Sequence, residues 1–392
     1  MLTPIPTHIT NSVWQMSSID QYLAGKILER EKAGNLRSLS VNDGIVDFFS
    51  NDYLGFVTTG LLSDMLLQEP PDSLKTGATG SRLLSGNNQQ FENLEEAIAK
   101  FHHAEAALLF NSGYNANIGL LSSVISRDTI VISDELCHAS IIDGIRLGLS
   151  QKKFKFAHNN LADLEEKIIR NKSGGPLLVV VESVYSMDGD FAPLVAIAEM
   201  CKNHNAQLIV DEAHATGVFG DKGQGLVCAL GIEESVFARV HTYGKALGAH
   251  GASVVGSKLL KQFLINFSRS FIYTTALPGH TVASIDCAYQ HLSSDRFSNK
   301  PLHALIAYFR NKIKESGNAN WMDSHSTIQA LLTGDNNKSR LVANTLLQAG
   351  IQAKAILHPT VPLGRERLRI CLHTYNTTPE IDLLFNLLNS TC

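Results

Sequence analysis

The stretch QLIVDEAHATGVFG, Gln207 to Gly220, decides how the rest of the chain is read. Its apolar, partly β-branched run ends in Asp211-Glu212-Ala213-His214, the four letters of a DEAH helicase box. At the end of a buried strand, the same letters would instead set an Asp and a His at the edge of a ligand. A helicase box works with a phosphate loop of the form GxxxxGK[ST]. The nearest stretch is GASVVGSK, Gly251 to Lys258, where Ser257 separates glycine from lysine, and it comes after the box. The helicase reading is set aside on that ground, and the strand-end reading is kept.

Bulk composition agrees. The chain has 392 residues, 44% hydrophobic and 18% charged, enough for a large core and for two domains plus an arm. Lys and Arg total 33 against 37 Asp and Glu, a net charge of −4, so no nucleic-acid partner is expected. The six cysteines form no CxxC pair and read as ordinary reduced thiols. The start, MLTPIPTHIT, has no basic and apolar leader, and no apolar run reaches membrane-spanning length. A cytoplasmic protein with no membrane partner is the expectation.

Along the chain, residues 17–34 have helical spacing, with Tyr22, Leu23, Ile27 and Leu28 on one stripe and Gly34 as the stop. SLSVNDGIVDFF, Ser38 to Phe49, reads as a hairpin turning at Asn42-Asp43-Gly44. Residues 1–57 are taken as an N-terminal arm. From Asn88 the pattern alternates. FENLEEAIAKFHH, NLADLEEKIIRN and APLVAIAEMCKNH are helical; AALLFN, DTIVISD, PLLVVVESV and QLIVDEAH are short apolar runs. Such runs separated by helices predict an α/β domain over 58–278, its mostly parallel central sheet covered by helices on both faces. The rhythm weakens after Pro278, and 279–392 reads as a smaller α+β domain with a strand pair, IQAKAIL and RLRICLH.

Ligands of such sheets bind beyond the carboxyl ends of the strands. There the chain places Asn111 to Tyr114, Glu182 to Asp190, Asp211 to His214 and His241 to Lys245. No HExxH or GxSxG occurs, and no GxGxxG dinucleotide fingerprint. What remains is Lys245 in HTYGKALGAHG, with Gly244 and Gly248 allowing backbone to approach a flat ligand. A lone lysine is usually a solvated charge. Beside an Asp at a strand end it matches the needs of pyridoxal 5'-phosphate (PLP): a lysine for the Schiff base and an acid that keeps the pyridine nitrogen protonated. Lys245 and Asp211 fill those roles.

Nine motifs stand in order: FFSNDYLGF, TGATGSRLLSGN, NSGYNANIG, DELCHASIIDGIRL, ESVYSMDGDFAPL, DEAHATGVFG, HTYGKALG, FIYTTALPG and HPTVPLGRERLRICL. Through them nearly the whole chain resembles the α-oxoamine synthases, PLP enzymes of fold type I. The resemblance implies that Lys245 carries the cofactor and later removes the α-proton of an amino acid. His138 would stack on the cofactor ring, and His214 would bond its phenolate oxygen. Glu182 and Ser186 would also bind the cofactor, Ser186 reaching the ring or its phenolate oxygen, with Asp188 shaping the turn at Gly189. The phosphate would meet the amides of Gly113 and Tyr114 at a helix start, the Thr242 hydroxyl, and Thr274 or Thr275 of the partner subunit, which implies a homodimer. Arg369 and Asn51 would bind the amino-acid carboxylate, with Arg367 on the other strand face as a structural comparator. Arg37 and Thr360 would contact the acyl carrier. PTVPLGRERLRI is most similar to the branch that condenses L-alanine with a pimeloyl thioester, on coenzyme A or acyl carrier protein; glycine with acetyl-CoA is the alternative. HTYNTTPE, after RLRICL, departs from the family pattern at the acyl-chain end.

Overall fold

In the computed structural model the described residues are 17–39, 46–172 and 174–391. A seven-stranded sheet forms the centre. In spatial order its strands are Ala106–Phe110, Ala252–Gly256, Ala238–Thr242, Gln207–Asp211, Leu177–Glu182, Ile130–Asp134 and Lys152–Phe156. All neighbours run parallel except Ala252–Gly256, which is antiparallel to both of its partners. The four apolar runs of the sequence are all strands of this sheet. Ala106–Phe110, Ile130–Asp134 and Leu177–Glu182 are buried at every position, as helices on both faces require. Lys152–Phe156, KKFKF, gives no apolar run because it is an edge strand with lysines facing water.

The three long helical patterns form Gln89–Phe101, Leu161–Asn171 and Leu194–His204. Their starts obey capping chemistry where a side chain is available: Asn88 and Asn160 accept amides of their first turns. A second, antiparallel sheet orders Lys354–Ile356, Arg367–Cys371 and Ile328–Leu332. Of the expected strand pair, Lys354–Ile356 lies directly against Arg367–Cys371.

The N-terminal helix is Ser18–Lys32, opened by a Ser17–Asp20 capping box and closed near Gly34, which has φ 63°. None of its residues is buried, so the stripe of Tyr22, Leu23, Ile27 and Leu28 faces away from the core. The expected turn at Asn42–Gly44 lies outside the described residues. Val46–Asp47, the beginning of its second strand, pairs in parallel with Ile351–Gln352. No helix among the described residues is long and apolar enough to cross a membrane.

Candidate functional site

Parallel strands Leu177–Glu182 and Gln207–Asp211 end at the same level, so their register sets Glu182 beside Asp211. Their carboxyl ends open on a cavity of about 300 Å³. Asn51, Gly113, Tyr114, His138, Glu182, Asp211, His214, Thr242 and Lys245 all line it, residues singled out from sequence and drawn from widely separated segments of the chain. Asn117, Ser140 and His250 line it as well.

Asp211 is nearly buried and its two oxygens are held by different donors. Oδ1 accepts the amide of Ala213 at 2.9 Å and Oδ2 accepts Asn117 Nδ2 at 2.7 Å. Asn117 also donates to Ser140 Oγ at 3.0 Å. Sequence reading missed Asn117, although it sits in NSGYNAN one helical turn after Gly113, on the same face of helix Gly113–Val124. Glu182 behaves differently. Burial, then the charge of Asp211, pushes its carboxyl well above the usual range. While lining the cavity, it accepts the His138 amide through Oε1.

His138 is the N-cap of helix Ala139–Leu147, and its Nδ1 accepts the Ser140 amide at 3.2 Å. Burial lowers its pKa against the attraction of Asp211, which favours the neutral ring, and an Nδ1 that accepts an amide leaves the proton to Nε2. His214 is driven further down, first by burial and then by the positive Lys245 and Arg369. Lys245 is half-buried, and burial lowers its pKa although Asp211 and Glu182 oppose this. Glu212, between Asp211 and His214, faces away from the cavity: its carboxylate accepts the amides of Leu226 and Val227 at 2.7 and 2.9 Å. Of the DEAH tetrad, Asp211, Ala213 and His214 line the cavity, and Glu212 is structural.

Two features test whether PLP fits. Thr242 Oγ1 is buried with no partner among the described residues, an orphaned hydroxyl beside the cavity. Next to it, a Cβ on Gly113 would stand 2.3 Å from Thr242 Cγ2, so only glycine leaves this cradle open. Ser112 caps the helix by accepting the Asn115 amide, and the helix itself offers no acceptor to the amides of Gly113 and Tyr114. A hydroxyl and two amides at a helix N-terminus suit a phosphate dianion. The donor set fits the cofactor.

Other expected residues lie outside the cavity. Ser186 offers its carbonyl to Arg369 Nε at 2.7 Å rather than its hydroxyl to the cavity. Thr274 Oγ1 and the Thr275 carbonyl both accept from Asn111 Nδ2, at 3.2 and 2.8 Å. Arg369 does not line the cavity but reaches Asn51 Oδ1, which does, at 3.1 Å. Arg37 and Thr360 are brought together, 3.5 Å between Nη2 and Oγ1. Arg367 corrects the expectation made for it. Residues two apart on a strand share a face, so Arg367 points the same way as Arg369 and forms a buried ion pair with Asp188. Asp188 therefore ties the Glu182–Asp190 segment to the second sheet, beyond shaping the turn at Gly189. The departing HTYN stretch also has a place: His373 stacks on Tyr375 at 4.7 Å, and Tyr375 donates to Asp47 at 2.8 Å. His373 and Asn376 also bond the Asp47 carbonyl, so this cluster holds the segment that carries Asn51.

The family model for class I and II aminotransferases matches residues 43–383. An 8-amino-7-oxononanoate synthase of Emericella nidulans is 42% identical over 363 residues, 86% of this chain and 87% of that protein. One from Cellvibrio japonicus is 37% identical over 392 residues, 96% and 98% of the two chains. Among solved structures, serine palmitoyltransferase with PLP superposes with a TM-score of 0.87 at 26% identity, covering 96% of this chain and 98% of that one. With the motifs, the fold and these relatives in agreement, the chain belongs to the class I and II aminotransferase family, among its PLP-dependent α-oxoamine synthases.

Proposed function

We propose that the chain is an 8-amino-7-oxononanoate synthase, joining L-alanine to a pimeloyl thioester with release of carbon dioxide and the free carrier thiol. The observation that carries this reading is one cavity gathering Lys245, Asp211, His138 and His214 in a chain 42% identical to such an enzyme. When bound, PLP supplies an electron sink for heterolysis at the α-carbon of the amino acid.

The chain's own residues supply the rest. Asp211, fixed by Asn117 and the Ala213 amide, would accept from the ring nitrogen and hold its proton there. His138, which lines the cavity, would stack on the ring. Lys245, its ammonium form disfavoured by burial, is suited to take a proton at Nζ from the α-carbon. Thr242 Oγ1 and the amides of Gly113 and Tyr114 would hold the phosphate, completed by Thr274 or Thr275 of the partner subunit in a homodimer. Asn51 and Arg369 receive the alanine carboxylate, and Arg37 with Thr360 meets the carrier of the acyl chain.

Thiol release by the PLP-loaded protein tests this, comparing L-alanine plus pimeloyl-CoA with glycine plus acetyl-CoA. Release with the alanine pair alone is expected. Release with the glycine pair alone would move the protein to another α-oxoamine synthase and overturn the substrate assignment.

A further inference from the structure

Tyr53, in the FFSNDYLGF motif, is wholly buried, yet its hydroxyl has three close polar partners, with the Thr327 side chain as a further neighbour. The hydroxyl lies 2.8 Å from His214 Nδ1, 3.0 Å from Asn51 Oδ1 and 3.5 Å from Arg369 Nη2. A phenol has one proton to give, and two of these neighbours compete for it. If Tyr53 donates to Asn51, His214 must carry its own proton on Nδ1 and present a bare Nε2 to the cavity. If Tyr53 donates to His214 Nδ1, Nε2 carries the proton and faces the cavity as a donor.

Three observations decide between them. Asn51 Oδ1 already receives a charged donor, Arg369 Nη2, at 3.1 Å, so it does not depend on Tyr53. The same guanidinium approaches the Tyr53 oxygen, and a cation donating to a hydroxyl oxygen strengthens that hydroxyl as a donor. The contact to His214 is the shortest of the three. Burial also holds the Tyr53 phenol protonated and the His214 ring neutral, so neither group leaves this exchange by ionising.

We infer that Tyr53 is a positioning residue: by donating to His214 Nδ1 it fixes the imidazole tautomer that turns an N–H towards the cofactor's phenolate oxygen, and through Asn51 and Arg369 it links that choice to the carboxylate-binding side of the site. The inference rests on the proposed PLP chemistry only for the identity of the group that receives the Nε2 proton. The link runs through shared contacts.

The full-length protein labelled with ¹⁵N-histidine, with and without PLP, tests this. The His214 resonances are assigned by their loss in His214→Asn, and a neutral imidazole's protonated and bare nitrogens are well separated in ¹⁵N shift. The expected result is a bare Nδ1 and a protonated Nε2 in the wild type. In Tyr53→Phe the Nε2–H share should fall, the bands of bound PLP should change in ratio, and kcat should drop about tenfold, the worth of one hydrogen bond. KM for L-alanine should move less. In the His214→Asn background the same Tyr53→Phe change should have no further effect on kcat or spectrum. A protonated Nδ1 in the wild type, or an undiminished Tyr53→Phe effect in the His214→Asn background, would overturn the inference. Should Tyr53→Phe fail to fold, the wild-type spectrum alone decides the tautomer. Failure of the wild type to bind PLP would instead remove the proposed function and leave the tautomer result standing.

Discussion

Lys245 is the residue on which the proposed chemistry turns, and its setting is unusual for a lysine. Its ammonium form is disfavoured by burial even though Asp211 and Glu182 pull the other way, so desolvation is the larger effect. Lys245→Ala should remove at least about 10³-fold of turnover, with loss of the covalent cofactor signal after gel filtration, as nucleophile deletions generally do. Persistent turnover at wild-type rates would sink the assignment. The two arginines on strand Arg367–Cys371 show how one error of periodicity changes a role. Read as facing opposite ways, Arg367 is a bystander. With the period of two applied correctly, it is the buried partner of Asp188, and Arg369 is the neighbour that reaches the site.

At the scale of elements, that pair joins strand Arg367–Cys371 to the segment after Leu177–Glu182. Arg367→Met would leave the Asp188 carboxylate buried and unpaired, which should lower unfolding free energy by about 3–5 kcal/mol in urea titrations. Adding Asp188→Asn should recover part of this, and no recovery would mean the pair is not the source. His158 makes a similar tie, bonded through Nδ1 to Asp134 at 2.9 Å and through Nε2 to Asp190 at 2.7 Å. Burial alone would lower its pKa, but the hydrogen bonds to Asp134 and Asp190 outweigh it and hold the ring up to about 10. A histidine raised on folding stabilises fully below its unfolded pKa of about 6.5, and that contribution fades as pH rises towards the folded value. The stability gap between wild type and His158→Gln should therefore be largest near pH 6 and shrink by more than half on approaching pH 10. A gap independent of pH would contradict the charged state.

The whole molecule leaves one face unexplained by its own core. Helix Ser18–Lys32 buries none of its residues, and Ile27, for example, is 56% exposed. Arg37, just beyond it, meets Thr360, while Thr274 and Thr275 lie outside the cavity of their own chain. The proposed homodimer would give these residues a function, and light scattering should then report about twice 42.7 kDa. A protein that is active as a monomer would show the phosphate site complete without a second subunit.

Much of this was legible in the amino-acid sequence. Strands apolar on both faces, separated by amphipathic helices, can bury themselves in few other ways than a covered parallel sheet, and nine ordered motifs carry the resemblance to the PLP enzymes. The side chains at those strand ends needed only a local rule: polar residues directly after a buried apolar run emerge at the carboxyl edge of the sheet. Asn117, Tyr53 and the Arg367–Asp188 pair were not legible, because their meaning lies in partners 94, 161 and 179 positions away. The hidden strand KKFKF and the antiparallel Ala252–Gly256 escaped for a related reason. Pairing across a sheet depends on which neighbour the folded chain delivers, and hydrogen bonds between distant segments leave no period in a sequence to be read.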